Sequence, residues 1–341
     1  VVTSASLLVL LYTGMALTRS LIGFLAWVLL SGFTTGLFWS PMQAWTGDMA
    51  AGGNLNRSVS RFNVAWSAGY LVGMLVAGAV FSLDPSAPFW SAALACALIL
   101  AIVVRLPAPT RQPATPSGAE QAKAGFARAE TESEPAGEGA ASPGHGEPPR
   151  SGFFRAAARV SVFAGFFLFA TILNLFPKLG DAEGFSPFLI GVLLTSLAAA
   201  RTLAFLWLGR WEGWQYREGL LVASVLLAGL CTAFIGWVSA PLTYLVALLL
   251  VGACQGFIYM SSLFYALNAS VGRGRNSGWH EFSVNGGAMV GALSAGLVGQ
   301  FLGVRAPFLA GLLVAGAAAA CILLLRQSAE RRISLKASEE P

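Results

Sequence analysis

The chain has 341 residues, of which 56% are hydrophobic and 11% charged, with a mean hydropathy of +0.68 and a formal net charge of +5. A soluble globule carries roughly 25% charged residues, so a water-soluble domain is excluded and the chain belongs in a bilayer. The positive balance comes without a basic soluble face, which sets nucleic acid aside as a partner.

Ten apolar stretches are long enough, or nearly long enough, to cross a hydrocarbon core, which takes about 20 residues of helix. In chain order they are residues 1–17, 21–45, 62–82 and 88–106, then 157–177, 187–208, 219–238, 242–267, 281–302 and 306–325. Backbone polar groups in lipid must be satisfied within the segment, so each stretch reads as a helix and the protein as all-α and polytopic. The first stretch begins at Val1 with no charged run before it, so a signal peptide is not expected there. Residues 107–155 are crowded with Pro, Ala, Gly, Ser and Glu and read as a disordered linker. It divides a bundle over 1–106 from a bundle over 156–326, which a tail follows over 327–341. Cys96, Cys231, Cys254 and Cys321 each fall in an apolar stretch with no paired spacing, so neither a disulfide framework nor a zinc site is expected.

With successive segments running in opposite directions, seventeen of the 21 Lys and Arg residues fall on the side that carries the linker and the C-terminus. Arg19, Lys178 and Arg305 fall on the other side, and Arg201 lies within a helix. Basic loops stay in the cytoplasm. The linker and C-terminus are therefore expected there, with the chain passing repeatedly through the cytoplasmic (inner) membrane.

Two segments share a motif. Gly69 to Gly78 and Gly287 to Gly296 both read G-x-x-V-G-x-L-x-A-G, 218 residues apart. A repeat in membrane segments points to a transporter built from two equivalent halves around a central site. Small residues four apart let helix backbones approach closely, so Gly69, Gly73, Gly78, Gly287, Gly291 and Gly296 are expected at helix contacts. Because the motif occupies the second-last helix of each half, the first half is two helices shorter at its start than the second. Twelve helices are the expectation for the intact protein.

Six helices, a long cytoplasmic loop, six more helices and a parallel repeat resemble the major facilitator superfamily. Gly69 to Gly78 is similar to that family's glycine signature in its fifth helix, with Met74 in place of the proline and Ala77 in place of a glycine. Val28 stands where the family often carries an arginine, four residues before Gly32. The resemblance implies that the stretches present are the third through twelfth family helices, and that the fourth and tenth line a central cavity.

On those two helices Trp39 and Gln43 are an i, i+4 pair, while Gln255, Tyr259 and Ser262 form an i, i+4, i+7 stripe. These five, with Asn174, are the candidate solute contacts, amide and hydroxyl groups beside aromatic walls; interhelical packing is the plainer reading of each. Glu281 and Asn285 are another i, i+4 pair, with Asn63 near the equivalent start of the other repeat helix. Glu281 is expected either to pair with Arg273 or Arg275 as a gate or to carry a coupling proton. Arg201 either snorkels to the helix end or faces the cavity and attracts an anion. Asp48 is expected to pair with Arg57 or Arg61. His280 adjoins Glu281 without the second histidine of a zinc-protease helix, so no metal is expected.

These residues predict a secondary transporter for a small organic solute, acting as a monomer in the lipid bilayer by alternating access. No cofactor is expected beyond coupling to protons or another ion. The rival reading is a non-transporting sensor or assembly partner that keeps the same fold. No nucleophile, base and orienting group converge in the sequence and no phosphate-binding loop is present, so an enzyme is not expected.

Overall fold

The computed structural model describes residues 2–50, 53–105, 150–269 and 272–339. Among them are ten helices: α1 (Val2–Leu17), α2 (Leu21–Met49), α3 (Leu55–Leu83), α4 (Ala87–Arg105), α5 (Ser151–Ala182), α6 (Pro187–Leu208), α7 (Glu218–Ile235), α8 (Pro241–Leu267), α9 (Arg273–Leu302) and α10 (Ala306–Glu339). Eight of these, all but α1 and α3, are long and apolar enough to cross a membrane by length and composition. Starts follow local chemistry. Asn54 caps α3 by accepting from the Arg57 N–H and Ser186 caps α6 by accepting from Leu189, while Pro187 and Pro241 occupy first-turn positions where no N–H is needed.

Several helices are longer than hydropathy alone indicates. α3 begins at Leu55 rather than residue 62, and α9 at Arg273 rather than residue 281. α5 begins at Ser151, ahead of the residue 156 boundary, and α10 continues through Glu339 past residue 326. Most of the segment assigned to a linker, residues 107–149 of 107–155, lies outside the described residues.

The first bundle joins α1 to α2 and α4, and α3 to α2 and α4. In the second, α5 is the hub and touches each of α6 to α10. Its inner face is lined by Phe154, Val162, Ile172, Phe176 and Leu179, all buried. At the end away from residue 150, Arg305 ties three connections together. Its Nη1 donates to the carbonyls of Gly236 at 3.0 Å and Val238 at 3.1 Å, and its Nη2 to Ser239 Oγ at 2.9 Å and to Glu183. At the opposite end, which we call the linker end, Arg326 bridges Glu218 and Glu330, and Glu330 also accepts from Arg150.

The repeat glycines fare differently in the two bundles. At Gly287 and Gly291 the backbone of α5 passes so close that an added Cβ would lie 2.2 Å from the Phe163 carbonyl oxygen and 2.4 Å from that of Phe167. Glycine is required there because no other residue admits that approach. Gly69, Gly73 and Gly296 have nothing within 4 Å of the same position, and the surroundings of Gly78 lie outside what is described.

Gly291→Ala is therefore expected to force α5 and α9 apart at a cost of about 1–3 kcal/mol. Gly73→Ala, in open helix, is expected to stabilise slightly through helix propensity, by up to about 1 kcal/mol. Thermal unfolding in lipid nanodiscs measures both.

Candidate functional site

The two bundles meet along a seam formed by α3 against α6 and α2 against α9, with α8 behind. The α3 side is a stripe of small polar residues at helical spacing, namely Asn56, Ser60, Asn63 and Ser67. Asn56 Nδ2 donates to the Leu208 carbonyl at 2.8 Å, Ser60 Oγ to that of Phe205 at 2.7 Å, and Ser67 Oγ lies 2.7 Å from Thr202 Oγ1. Thr202 gives its own proton to the Ala198 carbonyl, so Ser67 is the donor in that pair. At the linker end of the stripe Asn54 donates to Glu212. Helices that use side-chain donors on each other's end carbonyls can approach and separate without exposing an unpaired apolar ridge. The fit is tight at Gly209, where an added Cβ would lie 2.4 Å from Ser60 Cβ.

At the centre of the other contact sits Gln43, wholly buried on α2 two residues after Pro41. Its Nε2 donates to Glu281 Oε1 at 2.6 Å and to Tyr259 Oη at 3.3 Å, while its Oε1 accepts from Ser277 Oγ at 2.6 Å. One neutral side chain thus joins α2 of the first bundle to α8 and α9 of the second. Glu281 Oε2 accepts from Asn285 Nδ2 at 3.2 Å. Ser262 Oγ lies 2.9 Å from His280 Nδ1, and the His280 ring packs edge-on to Tyr259 with centroids 4.9 Å apart. Tyr259 also meets Trp66, Phe166 and Phe205. Trp66 in turn donates to Asn63 Oδ1 at 3.1 Å and packs against Trp39.

Gln43, Tyr259, Ser262, Glu281 and Asn285 therefore form one connected network, with Trp39 and Asn63 attached through Trp66. Gln255 is buried one turn from Tyr259, with no partner for its Nε2; α5 passes at Gly165, where an added Cβ would lie 2.9 Å from Gln255 Oε1. Arg201 is 1% exposed and sits under the rings of Trp66, Tyr70 and Phe169. Asn174 lies apart, on an exposed face of α5, with its amide returned to the Ala170 carbonyl at 2.7 Å.

Two expected pairings differ in the structure, and of the two courses open to Arg201 one is not taken. Asp48 pairs with Arg273 at 3.1 Å rather than with Arg57 or Arg61, because the extra first turns of α9 bring Arg273 across the seam to the end of α2. Arg273 also donates to the Leu267 carbonyl, and Glu281, two turns further along α9, is held by Gln43 and Asn285 instead of by Arg273 or Arg275. Arg201 does not snorkel to the helix end; its guanidinium stays in the ring cage. Ser277, Asn56, Ser60 and Ser67 were missing from the candidates, although the spacing 56, 60, 63, 67 is a polar stripe that helical periodicity reveals.

Two helical bundles joined by a polar seam, each with the repeat glycines on its second-last helix, define the class of the major facilitators. The family model of the Major Facilitator Superfamily matches residues 1–279 and, overlapping, 162–341. The chain belongs to this superfamily and is a multi-pass membrane transporter by family. Its fold is similar to the crystal structure of the human organic anion transporter MFSD10 (TETRAN), with a TM-score of 0.66 and 20% identity over 94% of this chain and 76% of that one. No curated protein matches the sequence.

Replacing Gln43 by Leu leaves Glu281 without its cross-bundle partner and Ser277 with the Ser40 carbonyl alone. We expect a loss of about 1–3 kcal/mol in stability. A double-mutant cycle with Glu281→Leu is expected to give a coupling of about 1 kcal/mol or more, read from thermal unfolding of the four chains.

Proposed function

We propose that this protein is a secondary transporter that moves a small organic solute across the cytoplasmic membrane by alternating access. The observation that carries the reading is where the seam lies. The contacts described across it involve Ser40 to Asp48 on α2 and Asn54 to Tyr70 on α3, so they gather toward the linker end. Gly32 and Gly36, nearer the other end of α2, have nothing within 4 Å of an added Cβ. Two bundles closed at one end and parted toward the other are one of the two states that alternating access requires.

Orientation follows from charge. The excess of Lys and Arg on the linker side assigns that end to the cytoplasm, so the seam is a cytoplasmic gate in its closed state. Trp39, Gln43, Gln255, Tyr259 and Ser262 are the contacts we assign to the solute, with Gln255 Nε2 a donor left free for it. Asn174 is exposed on α5 with its amide on the Ala170 carbonyl, free to turn to a solute from there without any change within the second bundle. Glu281 is the carboxylate available to a coupling proton, because the amides Gln43 and Asn285 hold it, with His280 Nε2 4.0 Å away, and among the described residues no Arg or Lys pairs with it. Carriage rather than catalysis is the activity we assign, with the chain acting as a monomer.

Gly209 gives the test. Gly209→Val places a branched side chain where Ser60 must seat, so the seam cannot close. In a chain whose four native cysteines are replaced by alanine, Asn63→Cys is expected to react at least about tenfold faster with a linker-side, membrane-impermeant maleimide when Gly209→Val is added, since holding one state open shifts the population to it. The same substitution is expected to abolish counterflow in proteoliposomes screened with a panel of radiolabelled organic solutes. Unchanged labelling together with wild-type counterflow would overturn the reading.

A further inference from the structure

Arg201 is the buried guanidinium of the second bundle among the described residues. Its side chain is almost wholly removed from solvent, yet Nε and Nη2 have no hydrogen-bond partner, and among the described residues no carboxylate forms an ion pair with it. Three rings surround it instead, with the guanidinium carbon 4.8 Å from the centroid of Trp66, 5.1 Å from that of Tyr70 and 5.2 Å from that of Phe169. Ring faces attract a cation but do not accept its N–H groups in the way an oxygen does. A buried charge without a paired opposite charge is costly, and such a cost is retained where it serves a function.

The two unpartnered atoms are informative together. Nε–H and Nη2–H project from the same edge of the guanidinium and form the fork that takes both oxygens of one carboxylate. The cage is also divided between the bundles. Arg201 and Phe169 belong to α6 and α5, whereas Trp66 and Tyr70 are successive turns of α3. When α3 leaves α6, two of the three rings go with it and the fork is uncovered.

We propose that Arg201 is the binding point for an anionic group on the transported solute, a monocarboxylate with an apolar or aromatic body. Trp66 and Tyr70 lie over the guanidinium when the seam is shut and pack on the body of the solute when it is bound. One cation with no second basic partner in the cage fits a single negative charge. Glu281, connected to the same cage through Gln43, Tyr259 and Trp66, opposes further negative charge. This rests on the transport reading above and names its substrate class.

Benzoate and its neutral isostere benzamide are the probes, titrated into the full chain in nanodiscs. Wild type is expected to bind benzoate saturably and at least about tenfold more tightly than benzamide, one carboxylate–guanidinium pair being the difference. Arg201→Met is expected to lose that preference while melting at or above the wild-type temperature, since it replaces a bare buried charge by an apolar chain of similar length. Arg201→Lys is expected to keep part of the preference. A purely structural arginine predicts the reverse, a lower melting temperature with any benzoate preference intact, and that result overturns the proposal, as does equal binding of benzoate and benzamide to wild type. Counterflow of radiolabelled benzoate in wild-type proteoliposomes separates the two readings. Arg201-dependent binding without counterflow of any solute would leave the anion site standing and remove the transport reading. Counterflow of neutral solutes without benzoate preference would do the opposite.

Discussion

A bilayer gives a buried polar side chain no water to fall back on, so each one must find its partner in another helix or be held for a ligand. In this protein that constraint converges on Gln43. An amide can donate from one end and accept at the other, and Gln43 uses both, toward Glu281 and Tyr259 on one side and Ser277 on the other. A charged residue at this position would leave either the acid or the hydroxyl unmatched. A neutral one holds the bundles together without fixing them permanently, because its partners keep bonds of their own when it departs: Glu281 retains Asn285, and the hydroxyls can turn to backbone carbonyls.

The second bundle is built to stay whole while the seam changes. α5 reaches all five of its companions, the glycines of α9 bring backbone against backbone, and Arg305 fastens three connections at the end remote from the seam. The contacts between bundles are of another kind: the hydrogen bonds of Gln43, the rings of Trp66 and Tyr70 against Arg201 and Tyr259, single hydrogen bonds from Asn and Ser to terminal carbonyls, and the Asp48 to Arg273 ion pair. The Asp48 carboxylate is two-thirds exposed, and exposed pairs of this sort contribute about 0–1 kcal/mol. Backbone-close packing within a bundle and exchangeable side-chain contacts between bundles are the division of stability that rigid-body rocking needs.

The sequence made the architecture legible because the bilayer leaves few choices. Apolar runs of bilayer length had to be helices, and the shared glycine motif aligned the halves before any coordinates. Helical spacing likewise brought Gln255, Tyr259 and Ser262 onto one stripe, where the structure places them. Hydropathy fell short where the seam begins, since the first turns of α3 and α9 are polar and look like loop. Those turns carry Asn56, Ser60, Ser277 and Arg273, so the arginine that pairs with Asp48 sits in a turn that hydropathy does not assign to a helix. Asn174 shows a second limit, because a lone polar residue does not fix the rotation of its helix, and α5 leaves it exposed with its amide on its own backbone. The cage around Arg201 draws on three helices, and no local pattern in the sequence announces such a convergence.

Relative motion of the two bundles is the central claim, and the distance between them at both ends is its most direct measure. Spin labels on the exposed positions Arg61 and Arg210 report the linker end, and labels at Leu83 and Phe188 report the opposite end. In nanodiscs the account predicts two populations for each pair, with the short linker-end distance accompanied by the long distance at the other end, and the reverse. A single unchanging distance at both pairs would contradict it and leave a static membrane scaffold.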